Sequence, residues 1–242
     1  MAAEGTAAPR VAVVDYHKGN LSSVARGLAA AGAAPDVTDD PSRIASAEGV
    51  VIPGVGSFED AMAYISSSGQ ADAIRDAIGR GVPFLGICLG LQVLFDEGCE
   101  RSDPAQTGTV PGLEILRGSC IRLVSSRLKV PHVGWDAIDI TQLGRACPLL
   151  QGVQTGSTMY FTHSYVASEG VEEGVVAART HYVESFPSVV WSGNVFGCQF
   201  HPEKSSANGV QIMRNFVGLV AEGPDAAAGA ATLAGAGEGS RA

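Results

Sequence analysis

The sequence predicts an α/β fold: one doubly wound domain with a mostly parallel central sheet and antiparallel β additions in its second half. Three observations predict it. Short, almost continuous apolar runs in the first half (Val11–Asp15, Gly49–Pro53, Pro83–Ile87) read as strands buried on both faces of a parallel sheet. Helical stretches separate these runs, giving the βαβ rhythm of a doubly wound sheet. From Ser119 to about Phe200 the pattern changes to short β-rich runs with turn residues between them.

In order along the chain, Val11–Asp15 opens the sheet and Asn20 is placed to cap a helix running through Ala31, closed by Gly32. Gly49–Pro53 is the next buried strand, followed by the glycine-rich loop Gly54-Val55-Gly56-Ser57 and helical segments from Phe58 to Arg80. Pro83–Ile87 breaks at Cys88, with a helix expected from Leu89 to about Glu97. The runs Cys120–Val124, Thr158–Phe161 and Val175–Ala178 supply the antiparallel strands, and a last helix is expected over Ser206 to Val220. Residues 1–9 read as a flexible tail, 10–221 as the domain, and the Ala/Gly-rich 222–242 as disordered, with too little apolar side chain to bury. No internal repeat is present.

Bulk properties exclude several classes. With a formal net charge of −9, neither nucleic acid nor an anionic membrane is the expected partner. No apolar stretch approaches the roughly 18 residues of a spanning helix. Met1–Arg10 lacks a basic region followed by an apolar core, so the cytoplasm is the expected compartment. The five cysteines (Cys88, Cys99, Cys120, Cys147, Cys198) include no CxxC pair, which argues against a zinc site and a disulfide framework. No metal or cofactor is expected.

Gly86-Ile87-Cys88-Leu89-Gly90 has the G-x-C-x-G pattern of a nucleophile elbow, a strand turning sharply into a helix with the nucleophile at the tip. Side chains at the flanking glycines would collide with such a turn, and the following helix dipole would favour a thiolate. The pattern alone fits a buried structural cysteine equally well. A thiol nucleophile also needs a base and a group that orients the base. His201 and Glu203 lie two positions apart where a β-like run ends, so in extended chain they project to one side. Pro202 lacks a ladder donor and places the pair at a sheet edge. Donors for an oxyanion would come from the backbone N–H of Leu89 and from the Gly54-Val55-Gly56 loop. That loop alone reads equally as a phosphate nest or a tight βα turn.

Gly86–Gln92 together with Gln199-Phe200-His201-Pro202-Glu203-Lys204-Ser205 resembles the triad class (class I) of glutamine amidotransferases. Pro53–Phe58, Val130–Trp135 and Tyr160–Tyr165 are similar to blocks of the glutaminase subunit family of imidazole glycerol phosphate synthase. The resemblance covers roughly Val11 to Val220. It implies that Cys88 is nucleophile, His201 general base and acid, and Glu203 its orienter. It implies that Gln92 contacts bound glutamine, along with Gly54; that Glu100 receives the substrate ammonium; and that backbone at Ser164 and Tyr165 holds the substrate carboxylate. The implied partner is a (βα)₈-barrel cyclase taking up ammonia in histidine biosynthesis, with Asn20, Trp135, Tyr160 and Lys204 on the contact face. The chain departs from the family at His17, where glycine is usual, at Ser22, and at Asp136, where asparagine is common. Competing readings are the glutaminase of another amidotransferase such as anthranilate synthase, a non-catalytic binding homologue, and a cysteine peptidase.

Overall fold

Strand alternation places the core on both sides of one sheet. In a computed structural model that describes residues 7–103, 105–168 and 170–224, β1 (Arg10–Val14) sends Val11 and Val13 into one apolar cluster and Ala12 and Val14 into another on the opposite face. That two-sided burial is why the run is apolar at every position. The elements that follow are α1 (Leu21–Ala30), β2 (Ala34–Thr38), α2 (Pro41–Ala45), β3 (Gly49–Ile52), α3 (Phe58–Ser67) and α4 (Gln70–Gly79). Then come β4 (Phe84–Ile87), α5 (Leu89–Gln92), β5 (Phe95–Gly98), β6 (Val110–Pro111), β7 (Leu116–Arg122), β8 (His132–Ala137) and β9 (Asp139–Ile140). The chain closes with β10 (Thr158–His163), β11 (Tyr165–Ala167), β12 (Val176–His181), β13 (Ser185–Ser192), β14 (Val195–Cys198) and α6 (Ser206–Glu222).

The main sheet has eight strands in the order β2-β1-β3-β4-β14-β13-β12-β9. From β2 to β14 all pairings are parallel, and from β14 to β9 all are antiparallel. Helices α1 and α6 bury Val24, Leu28, Ile212, Met213 and Phe216 on one face. Helices α2, α3 and α4 bury Ile44, Met62, Ile65 and Ile74 on the other. The α3 start is locally encoded: the Ser57 hydroxyl accepts the Asp60 N–H at 3.3 Å, and Glu59 and Asp60 sit where the helix dipole favours negative charge. At α1, Asn20 occupies the cap position, but only its backbone carbonyl is engaged, accepting from Ser23 and Val24.

Three expectations are corrected. The helix after Cys88 is one turn long, not a helix to Glu97. The carbonyls that follow it are taken by another segment: Val93 O accepts Leu113 N–H at 2.7 Å, Leu94 O accepts Ile115 and Leu116 N–H, and Asp96 O accepts Gly112 N–H. With those acceptors used, the chain extends into β5, and no long dipole points at the thiol. Second, the later β-runs do not all join the main sheet. Strands β11-β7-β5-β6 form a separate four-stranded sheet and β10-β8 a two-stranded ribbon. Third, His201 and Glu203 do not lie at a sheet edge. They follow β14, an interior strand between β4 and β13, and Pro202–Lys204 is a 3₁₀ turn.

Of the N-terminal tail expected over 1–9, residues 7–9 are described and lead into β1; of the tail expected over 222–242, only 222–224 are described, and Glu222 closes α6. The rest of both tails lies outside the described residues. Among the described residues no helix is long and apolar enough to cross a membrane.

Candidate active site

Three neighbouring parallel strands end side by side, and each ends in one part of the site. In register, Ile52 of β3 pairs Gly86 of β4, and Cys198 of β14 pairs Ile87 of β4. The residues just past these ends are the Pro53–Ser57 loop, Cys88, and Gln199–Glu203. This is the carboxyl-end position where doubly wound sheets place ligands.

Cys88 has φ 52° and ψ −102°, a strained backbone for a side chain with Cβ. Its N–H is tied to Cys198 O at 2.7 Å. Both flanking glycines are required. A Cβ at Gly86 would stand 2.3 Å from Gly90 O, and one at Gly90 would stand 2.0 Å from Ile52 O. Gly54 is equally constrained, since its Cβ would lie 2.1 Å from Ile87 O and 2.3 Å from Leu89 N. The loop after β3 is thus seated directly on the elbow.

His201 Nδ1 bonds Glu203 Oε1 at 2.9 Å with both side chains only 1% exposed. The 3₁₀ turn carries the carboxylate back under the imidazole, and α1 backs it through Gly27, whose Cβ position is 3.7 Å from Glu203 Cβ. Burial works to lower the His201 pKa, but the charge of Cys88 and the Glu203 carboxylate outweigh it and push it up to about 10. The imidazole therefore carries a proton at neutral pH. Among the described residues His201 Nε2 has no partner within strict hydrogen-bond geometry, while the Cys88 side chain raises the imidazole both by its charge and as a hydrogen-bond partner. The thiol and the imidazole therefore act on each other across the neighbouring ends of β4 and β14.

The Cys88 Sγ lies 3.5 Å from Gln199 Nε2 and 3.8 Å from Thr162 O. Gln92 Nε2 donates to Tyr165 O at 2.8 Å and to Gln199 Oε1 at 3.2 Å, leaving the Gln92 carbonyl oxygen for a ligand. Tyr165 O also faces His163 Nδ1 at 3.1 Å. With that nitrogen donating, His163 Nε2 accepts from His132 Nδ1 at 3.2 Å; burial lowers the His132 pKa, and the neutral ring then has no proton on Nε2 to give Asp136 Oδ2, 3.5 Å away. Burial, helped by the His132 charge, pushes His163 down to about 3. Asp136, a departure from the family pattern, thus flanks the His132–His163 pair without completing its hydrogen bonds.

Glu100 is half-buried and accepts the Phe58 N–H at 3.1 Å; burial raises its carboxyl pKa. Burial and then the Glu100 charge raise the Tyr165 phenol. Tyr165 borders a cleft of about 330 Å³ that is also lined by Cys99, Arg101, Gln106 and Arg122. Ser164 O accepts the Leu123 N–H at 2.8 Å, fixing the bend between β10 and β11. In the loop after β3, the Val55 N–H donates to the Tyr16 hydroxyl at 3.3 Å, and that hydroxyl donates to Pro53 O at 2.8 Å. Gly56 has φ 112° and packs on Lys18. The Leu89 N–H, at the first position of a one-turn helix, has no intrahelical acceptor.

The four residues expected on a contact face divide. Trp135 and Tyr160 pair directly across the β8–β10 ribbon, ring centroids 5.9 Å apart, and Lys204 Nζ lies 5.9 Å above the Tyr160 ring. Trp135 is 54% exposed, so it is not a core aromatic. Asn20 is on a different element, at the start of α1. Sequence reasoning did not single out Gln199, Tyr16, His132 or His163. For Gln199 the signal was available: it lies two residues before His201, on the same side of extended chain.

With a strained thiol and a buried imidazole–carboxylate pair at the carboxyl ends of a doubly wound sheet, the protein is of the glutamine amidotransferase class. The chain belongs to the class-I glutamine amidotransferase family, whose model matches residues 12–219, and within it to the family of imidazole glycerol phosphate synthase subunits HisH. It is 45% identical over 210 residues to the subunit from Moorella thermoacetica, covering 87% of this chain and 95% of that one. It is 44% identical to the subunit from Halobacterium salinarum, covering 88% and 94%. Solved structures share the fold at lower identity. A GMP synthase subunit from Thermoplasma acidophilum superposes with a TM-score of 0.65 at 18% identity, covering 89% of this chain and 95% of that one. PurLQS from Thermotoga maritima gives 0.63 at 20%, covering 87% and 98%.

Proposed function

We propose that this chain hydrolyses the side-chain amide of glutamine and delivers the ammonia to a cyclase subunit, as the glutaminase half of an imidazole glycerol phosphate synthase in histidine biosynthesis. The observation that carries the reading is the placement of the strained Cys88 and the buried His201–Glu203 pair at the adjacent ends of β4 and β14. The Cys88 thiolate attacks the amide carbon, and the imidazolium of His201 protonates the departing nitrogen. His201, now neutral, takes a proton from water, which attacks the thioester and releases glutamate. Glu203 holds Nδ1 and stabilises the cation. The N–H groups of Leu89 and of Val55 or Gly56 receive the developing oxyanion. Gln92 offers its carbonyl oxygen to the substrate amide, Glu100 takes the ammonium, and backbone at Ser164 and Tyr165 takes the carboxylate, with Gly54 allowing close approach.

Ammonia released into water becomes ammonium and loses its lone pair, so delivery under cover requires a bound partner. The partner is a (βα)₈-barrel cyclase, which forms a heterodimer with this chain through Trp135, Tyr160, Lys204 and Asn20. Tyr160 is also wired to the base, since its carbonyl accepts the His201 N–H at 2.9 Å. The complex works in the cytoplasm, without a cofactor and without binding nucleic acid or membrane. In the isolated chain the Val55 N–H is committed to Tyr16 rather than to the site, so glutamine is bound but turned over slowly until the cyclase and its ligand are present.

The test is reconstitution with the cyclase. Cys88→Ala abolishes glutamine-dependent synthesis and leaves synthesis from added ammonium salt intact. Loss of both, or of neither, overturns the reading.

A further inference from the structure

The buried amide of Gln199 has no role in the steps above, yet it touches the reacting atom. We infer that Gln199 is a catalytic residue that donates a hydrogen bond to the Cys88 thiolate and holds it ionised for attack, an inference that rests on the glutaminase reading of the site.

The direction of this bond is fixed by the network. Tyr165 O is a pure acceptor, so the Gln92 atom 2.8 Å from it must be the NH₂. That same NH₂ then donates to the nearer Gln199 atom at 3.2 Å, which must be Oε1. The Gln199 NH₂ is thereby turned to Sγ at 3.5 Å. Flipping either amide would break this donor–acceptor order. Gln199 is fully buried, and its own N–H is tied to Ser188 O.

The thiol's other close contact works the opposite way. Thr162 O, 3.8 Å from Sγ, accepts from a thiol and repels a thiolate. With only one helical turn behind Leu89, the ionised form depends on donors, and among the described residues Gln199 supplies the one side-chain N–H with hydrogen-bond geometry to Sγ. The His201 cation acts on the sulfur as well, but its Nε2 falls outside strict hydrogen-bond geometry, where the Gln199 NH₂ is within it. As sulfur attacks, its charge moves to the carbonyl oxygen, so the Gln199 bond favours the thiolate before attack more than the transition state. Its removal therefore costs rate at neutral pH and costs little once the thiol is fully ionised.

The test is the pH profile of Cys88 alkylation by iodoacetamide in the full chain, followed on the peptide carrying Cys88. In Gln199→Met the midpoint rises by about one to two pH units while the high-pH plateau equals or exceeds that of the parent. Gln92→Met, which removes only the group that orients Gln199, gives a smaller rise in the same direction; it decides the matter if Gln199→Met does not melt cooperatively. An unchanged midpoint in both variants, or a lowered plateau at an unchanged midpoint, overturns the inference. Glutamine turnover by the parent with its cyclase is measured alongside: its absence would refute the glutaminase reading and leave the alkylation result standing.

Discussion

Gly90→Ala is the most severe small change available at the elbow. The added Cβ would sit 2.0 Å from Ile52 O and 2.9 Å from Ile52 C, where contacts to a real Cβ essentially never fall below 3.0 Å. Either the first turn of α5 or the end of β3 must retreat by about 1 Å, and neither can yield by a rotamer change because both contacts are backbone. Overpacking of this kind costs about 1–3 kcal/mol, while alanine's better helix propensity returns under about 1 kcal/mol. In a domain of this size the net loss lowers the melting temperature by roughly 2–10 °C. The same retreat moves Cys88 away from His201 and from the N–H of Leu89, and a displacement of about 1 Å can cost about a hundredfold in rate. Urea unfolding and glutamine turnover with the cyclase read the two effects. A variant within about 0.5 kcal/mol of the parent and within twofold in kcat/KM would refute the packing argument.

Other outcomes follow from the same geometry. Gly218, on the exposed side of α6 with nothing within 4 Å of where a Cβ would stand, is the counterpart: Gly218→Ala raises stability by about 0.5–1 kcal/mol in urea unfolding without changing activity. His163, pushed down to about 3 from 6.5, stays neutral when folded but binds a proton when unfolded. Its contribution is therefore complete above pH 6.5 and is lost as the pH falls towards 3, by roughly 1.4 kcal/mol per unit; His163→Asn flattens that limb of the stability profile, and parallel profiles would contradict it. Tyr16→Phe removes the hydroxyl bonds to Pro53 O and Val55 N–H, so glutamine hydrolysis by the isolated chain rises several-fold; unchanged basal turnover would show that Tyr16 does not hold the loop.

Much of the fold was legible because burial on both faces writes itself as continuous apolar sequence, as in β1, β3 and β4. Strand β5 was not legible. Phe95-Asp96-Glu97-Gly98 carries two half-exposed carboxylates and continues a helical pattern, and only the non-local bonds to residues 112–118 make it extended. The division into three sheets was likewise invisible, since it depends on which strands pair across long separations. Within the site, Cys88, His201 and Glu203 carry their own local patterns. Asn20 shows the limit of such patterns: it stands at a helix start without using its side chain as a cap. The His132–His163 contact exists only because β8 and β10 pair in one register, and Tyr16 meets Val55 only because β1 and β3 are sheet neighbours.

The most direct measurement is covalent capture with a chloroketone analogue of glutamine, followed by peptide mass analysis of the whole chain. Stoichiometric modification of Cys88, prevented by excess glutamine and strongly slowed in His201→Asn, is the expected result. Modification at Cys99 or another thiol instead, while glutamine turnover continues, would show that the sulfur at the elbow is not the nucleophile.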